Sequence, residues 1–507
     1  MGIRRIKIGG LFVNVQWVAW IASLLNVVSG FEDGLKGVCW MRHSCHDLLM
    51  TDLKTSAMND PSRCYFRAPL RRAALMAGFI TTMLCGAEDL QRPVDGRLIK
   101  MEEKGIEGCG LFKGAVHSVK SPAEVRALAG KLKPGDQLVL VGAEWKDARF
   151  TFSGMGTEAA PILIRPETSG GAVFTGKSEV IFHGAHLVVQ GLTFRGVNPA
   201  REGAVILRAG DGEAKPADHC IFTGLTFDHC GSTEAADWPR QKLWLMSMRG
   251  SDNTVAGCRF AGLKHIGQMI GAAELPKTGL QRLHVLNNRF TDRPKIDGQN
   301  GYEILQVGWS GESAKGAGSL IEGNTFENCD GENEIISLKA SDVWVRGNFF
   351  FGCQGVLSLR SANRVRVEGN VFDGKGKANT GGITAEGADH VISGNTFRNL
   401  KAPKDYYFWT LAFLSASAEN IGDNGDVAGY GRAKNILIMH NRFEHCDARI
   451  AVGAYPRKEY PLLPRDIQVE DNVFVGMKGP SVFDYLAPDP EGEVRKTWRE
   501  VRNVFER

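Results

Sequence analysis

Two carboxylates stand two residues apart in Glu332-Asn333-Glu334-Ile335-Ile336-Ser337-Leu338-Lys339, and a lysine closes the same segment. On an extended strand residues i and i+2 share a face, so Glu332 and Glu334 project together. Lys339 has the opposite parity to Glu334, so a bend must intervene if all three are to converge. Arg360 ends Leu357-Ser358-Leu359-Arg360, 21 residues beyond Lys339, and Asn300 opens Asn300-Gly301-Tyr302-Glu303-Ile304 upstream. Carboxylate and amide oxygens bind a hard cation, a neutral amine can take a proton, and a guanidinium can stabilise developing negative charge. Taken one at a time, the same residues also describe a solvated strand edge with weak surface ion pairs. Asn300 beside Gly301 also fits a plain turn. Which reading holds depends on the elements that position them.

Those elements are written by a repeat. From about residue 187 the chain restates one phrase: a β-branched strand, then Gly or Asn, one residue, then Phe. Instances end at Phe194, Phe227, Phe260, Phe290, Phe326, Phe350, Phe372, Phe397, Phe443 and Phe474. Successive phenylalanines are 22 to 46 residues apart, with a tight run of 24, 22 and 25 between Phe326 and Phe397. That spacing is one coil of a β-helix, in which three short strands are joined by turns and each pairs in parallel with its copy on the next coil. Phenylalanine stacks fill the bore. Asparagine tolerates a left-handed turn and can hydrogen-bond its copy one rung on. The fold expected is all-β, a single-stranded right-handed parallel β-helix, the hand following from the rule for parallel crossovers. The longer spacings are coils with loop insertions, and a propeller or sandwich would need antiparallel hairpin signals that are not seen.

An open solenoid end would expose a hydrophobic face, and the sequence supplies a cover. Ser121-Pro122-Ala123-Glu124 is a capping-box pattern with proline at the first helical position, opening a short N-terminal capping helix through Val125, Leu128 and Leu132. Lys133-Pro134-Gly135-Asp136 then turns into the strand Gln137 to Val141. The expected organisation is an N-terminal segment over 88–114, a parallel β-helix over 115–480 and a C-terminal tail over 481–507.

On a β-helix the polar segments fall on adjacent coils, and there the chain resembles polysaccharide lyase family 6, the alginate lyases and chondroitinase B. The resemblance spans roughly residues 115 to 480. It implies a right-handed parallel β-helix and cleavage of an anionic, uronate-containing polysaccharide by β-elimination. The preferred substrate is alginate and the runner-up dermatan sulfate. It further implies calcium held by Asn300, Glu332 and Glu334, Lys339 as general base, and Arg360 as acid or charge stabiliser. The chemistry is coherent. The C5 proton of a uronate is weakly acidic while its carboxylate carries full charge, and a hard cation relieves that charge. Arginine hardly deprotonates, which favours the stabilising role for Arg360. Two departures stand out: Ser361-Ala362 follow the arginine where the family commonly has His-Gly, and Gln306 replaces an arginine often found in the Asn300 segment. A non-catalytic glycan-binding β-helix and a glycoside hydrolase remain as alternatives, the latter requiring carboxylates on both sides of one bond.

Bulk properties agree with an exported β-rich chain. Glycine is abundant, 61 residues of 507 without a Gly-X-Y period, as a turn-dense fold requires. A net charge of +4 is too small for a general nucleic-acid binder, and no nucleic-acid partner is expected. Arg71-Arg72, the apolar run Ala73 to Leu84 and Cys85-Gly86-Ala87 read as a signal peptide over 58–87 starting at Met58, cleaved after Ala87. Residues 1–57, with the apolar run Leu11 to Val28, then form a doubtful extension. The expected location is periplasmic or extracellular, with no stable membrane insertion after signal removal. Of the eleven cysteines, Cys230, Cys329, Cys353 and Cys446 each lie three residues after a repeat phenylalanine, a placement that suits small buried hydrophobes rather than disulfides. His265, His284, His390 and His445 are read as structural.

Overall fold

Each repeat phrase folds as two short strands with a corner between them. In the computed structural model of the chain, Val391–Ser393 and Thr396–Arg398 are one such pair, turned through Gly394 and Asn395. Residues 93–506 are described except 297–299, 404–407, 423–428, 478–482, 488 and 490–491; a separate hairpin, Arg5–Ile8 paired antiparallel with Leu11–Asn14, is also described. The expected signal peptide, and all of the extension but this hairpin, lie outside the described residues. No helix among the described residues is long and apolar enough to cross a membrane.

Stacking the coils produces three long parallel sheets. The first has 14 strands, from Val116–Val119 to Arg499–Val501. The second has 13, from Glu144–Lys146 to Val504–Glu506, and carries the phenylalanines. The third has 13, running from Arg149–Met155 to Phe483–Tyr485. This is the all-β parallel β-helix expected.

Register pairs phenylalanine with phenylalanine from coil to coil. Rings from Phe174 to Phe505 stack with centroids between 4.6 and 5.3 Å apart, close to the spacing of adjacent strands. Beside them runs an asparagine ladder: each Nδ2 donates to the Oδ1 of the next, from Asn288 through Asn324, Asn348, Asn370, Asn395, Asn441 and Asn472 to Asn503, at 2.9 or 3.0 Å. One detail differs from the sequence reading. The left-handed residue at each corner is the one before the asparagine, as at Asn287, Gly323, Gly347 and His440, and the ladder asparagines themselves keep negative φ. The asparagine serves as a buried cross-coil bridge, and its neighbour makes the turn.

The capping helix forms over Pro122–Leu128, with the Ser121 side chain accepting the Glu124 N–H and the Glu124 carboxylate accepting the Lys120 N–H. Its Val125 is fully buried in the core beneath the first coil. The segment before it is more than a leader. Gly96–Gly108, broken at Gly105, lays Leu98 and Met101 on the outer face of the first sheet against Leu163, Val188, Ile221 and Ala256. At the other end the coils pass residue 480: Arg499–Val501 and Val504–Glu506 extend the first two sheets, and Phe505 extends the stack. These last strands have only three residues each and no long β-branched run, so they read as a tail in sequence.

The recurrent cysteines are free and buried, as their position in the repeat implies. His265 and His390 are buried as well, each held at both ring nitrogens by backbone groups.

Candidate active site

Four consecutive strands of the third sheet, Leu305–Gly308, Glu334–Lys339, Gly355–Leu359 and Thr380–Ala385, carry the polar segments at or beside their ends. The bend demanded by the parity of Lys339 is present. Pairing with the next coil shifts register between Glu334 and Ile336, so Ile335 and Ile336 are both buried, and outward alternation resumes at Ser337 and Lys339. This bulge brings both Glu334 and Lys339 to the outer face.

Carboxylate oxygens of Glu303, Glu332 and Glu334 lie within 4.8 Å of one another. Glu303, 1% exposed, accepts from Gln268 Nε2 at 2.7 Å, and Gln268 in turn accepts from the Trp244 indole. Lys339 Nζ is 3.6 Å from Glu303 Oε1. Glu332 Oε2 accepts the Gly301 N–H at 3.0 Å, while its buried Oε1 has no hydrogen-bond partner among the described residues. Burial, and then the Glu303 and Glu334 charges, push the Glu332 carboxyl up to about 9. Three converging carboxylates, one oxygen unpaired, fit a cation bound through oxygen ligands. Asn300 is exposed at the bend leading into this cluster, where its neighbour Gly301 makes the contact to Glu332.

Arg360 is clamped on three sides. Its Nε lies 3.9 Å from Glu334 Oε1, its Nη1 donates to Glu386 Oε1 at 3.3 Å, and its guanidinium stacks 4.3 Å from the Tyr430 ring centre. Ser358 on the preceding strand donates to Glu334 at 3.1 Å. Burial pushes the Glu386 carboxyl up to about 7 against the opposing pull of Arg360. Ser361, where the family commonly has histidine, is buried with φ +55 and lies with its Oγ 3.5 Å from Glu386 Oε2. Gln306 turns its amide back to the Gly308 carbonyl at 2.8 Å.

Beneath the acids is a residue that sequence reasoning missed. Arg293 is fully buried, donating to the carbonyls of Tyr302 at 3.0 Å, His265 at 3.0 Å and Gly267 at 2.8 Å. Burial lowers its guanidinium to about 10, opposed by Glu303 and Glu332, so it stays charged at neutral pH. In register it pairs with Cys329, the recurrent cysteine position of the next coil. A signal was therefore present: the repeat cysteine gives way to arginine three residues after Phe290, on the coil that leads into the site. Glu303 was equally visible, within the Asn300 segment.

A parallel β-helix whose outer face joins a carboxylate cluster to a lysine and a clamped arginine has the architecture of the polysaccharide lyases. The chain belongs to the chondroitinase B family, whose model matches residues 119–476. Among solved structures it resembles the polysaccharide lyase family 6 alginate lyase AlyGC, with 26% identity and a TM-score of 0.70 over 77% of this chain and 51% of that one. It also resembles a mannuronic acid specific family 6 lyase from human gut microbiota (24% identity, TM-score 0.67, 77% and 87% covered) and Pedsa3628 from Pseudopedobacter saltans (20%, 0.62, 77% and 92%). The chain thus spans about half the length of AlyGC. No curated protein sequence matches it.

Proposed function

We propose that the chain is a polysaccharide lyase that cleaves alginate, its mannuronate stretches above all, by β-elimination, leaving 4,5-unsaturated uronate ends. The observation that carries this reading is the gathering, on one face of adjacent coils, of three carboxylates with one unpaired oxygen, Lys339 at 3.6 Å from one of them, Glu303, and the clamped Arg360. The 26% identical AlyGC, an alginate lyase by name, supports the choice of polymer.

Glu303, Glu332 and Glu334, with Asn300 at the edge, would hold calcium, which supplies positive charge to offset the substrate carboxylate and so acidify the C5 proton. Lys339, as the neutral amine, removes that proton. The C5–H electron pair becomes the C4–C5 double bond as the C4–O bond breaks. Arg360, fixed by Glu386 and Tyr430, stabilises the negative charge on the departing oxygen, which takes its proton from the Lys339 ammonium or from water. Gln268 and Gly301 keep Glu303 and Glu332 oriented. The reading includes export through the 58–87 signal.

The test is ultraviolet absorbance of the conjugated product with mannuronate polymer, guluronate polymer and dermatan sulfate, with calcium and with chelator. A calcium-dependent rise strongest on mannuronate is expected. Folded protein that binds these polymers without any rise would leave a glycan-binding β-helix in place of an enzyme.

A further inference from the structure

The third sheet carries a second polar feature, four strands before Glu334–Lys339. There a pocket of about 350 Å³ is rimmed by Arg126, Arg149, Arg201 and Arg208 around the carboxylate of Glu179. The arginines come from separate places in the sequence: the capping helix, the strand Arg149–Met155, the turn before Ala204–Ala209, and that strand itself. Most are held in place. Glu179 pairs with Arg149 at 3.4 Å and also binds Arg201; Arg126 Nη1 donates to the Arg149 carbonyl at 2.6 Å; Arg149 Nε donates to the Lys177 carbonyl at 3.0 Å. Asp211 lies 3.7 Å from Arg208 Nη1, so four guanidinium groups face two carboxylates and leave a positive excess on a chain whose net charge is only +4. The floor includes Ile181 and Val205, an apolar base of the kind against which a sugar ring can lie.

Register connects this pocket to the catalytic cluster. Arg208 pairs with Ser247, Ser247 with Gly271, Gly271 with Gln306, and Gln306 with Ser337, two residues before Lys339. The pocket and the catalytic cluster therefore share the outer face of one sheet, with the Trp244 side chain lying over Gly271 between them. Four strand steps span ~19 Å.

We propose that the Arg126–Arg149–Arg201–Arg208 pocket is a distal subsite for anionic groups of the same polysaccharide, engaging chains long enough to reach it from the catalytic cluster over the outer face of the third sheet. The inference rests on the lyase reading for its ligand but not for its geometry. Short oligosaccharides bound at the catalytic cluster do not reach it, so the pocket favours long polymer.

The test is the R126Q/R208Q variant, which leaves the Arg149–Glu179–Arg201 cluster intact, with R208Q alone as the milder form. KM for long mannuronate polymer should rise roughly fivefold, with kcat and the KM for a trisaccharide unchanged. Binding is measured separately in a K339A background, where the same loss of polymer affinity is expected without turnover. In parallel titrations, loss of affinity for alginate, whose only anions are carboxylates, assigns the pocket to carboxylate; loss confined to dermatan sulfate, which carries both groups, overturns an alginate subsite in favour of a sulfate site. Equal affinity with and without the two arginines overturns the subsite, as does an equal rise in KM for polymer and trisaccharide. Failure of K339A protein to bind any uronate polymer would instead overturn the lyase reading.

Discussion

Gly308 lies directly beside Lys339 on the preceding coil, and its missing side chain is what allows the two strands to pass there. Its φ is +72, and a Cβ would stand 2.5 Å from the Lys339 carbonyl oxygen and 2.7 Å from the Ala340 Cβ. The lysine is therefore positioned through its backbone as well as by Glu303. Gly308→Ala should cost about 2–4 kcal/mol of stability and lower kcat about 100-fold, since small displacements of a catalytic group are expensive. Gly347→Ala, at φ +62 with nothing within 4 Å, is the control. It should cost only about 1 kcal/mol and leave activity unchanged. Denaturant unfolding and steady-state kinetics on the two variants separate these outcomes.

The raised Glu332 carboxyl predicts how cation binding depends on pH. Below about 9 the cation-free cluster holds a proton on this group. A cation must displace it, so affinity should rise with pH, by about tenfold per unit, until that value is passed. Calorimetric calcium titrations in buffers of different ionisation heat should detect close to one proton released at pH 7. Glu332→Gln should abolish the release and weaken binding. Glu303→Gln removes a like charge from beside Glu332 and should lower the pH at which the release ends.

Much of this was legible beforehand because the β-helix is periodic. A stacked phenylalanine and a buried asparagine must recur once per coil, so the Asn-x-Phe phrase revealed the coils, and the odd parity of Lys339 against Glu334 anticipated the bulge at Ile335-Ile336. What escaped was written outside the repeat. The helix Gly96–Gly108 shows few apolar residues, because only Leu98, Met101 and Ile106 of it join the apolar cluster on the sheet. Glu303 was passed over as a ligand because side-chain direction at the start of a strand depends on a turn that sequence does not specify. Arg293 was passed over because a charged residue in a buried column contradicts the pattern that defines the column; the exception marked the site.

The asparagine ladder should be a principal source of stability at its centre and a minor one at its end. Asn370 accepts the Asn348 N–H and donates to Asn395 and to the Val345 carbonyl, all buried. Asn370→Ala leaves those groups unpaired and should destabilise by about 2–4 kcal/mol. Asn503, half exposed on the last coil, should cost about 1 kcal/mol or less when replaced by alanine. Equal losses at the two positions in urea unfolding would show that the bridges do not act as buried hydrogen bonds.

His390 should make the fold acid-sensitive. Its Nδ1 accepts the Val365 N–H and its Nε2 contacts the Glu386 carbonyl, so the ring is neutral and burial lowers it to about 4. An unfolded histidine takes its proton near 6.5. The stability this represents is present above 6.5 and is lost as pH falls through 4, about 3 kcal/mol in full. His390→Asn should be less stable at pH 7 yet lose less on acidification, as read by urea unfolding at pH 7 and 4.5.

The central claim is that Lys339 drives an elimination, and the masses of the products test it most directly. Wild-type protein with calcium and a defined mannuronate oligomer is compared with Lys339→Ala, using mass spectrometry of the fragments and a binding measurement on the same samples. The expected result is wild-type fragments whose masses sum to that of the substrate, one end carrying a double bond, while the folded variant binds the oligomer and leaves it whole. Fragments that together exceed the substrate by one water, or a variant that cleaves at the wild-type rate, would contradict it.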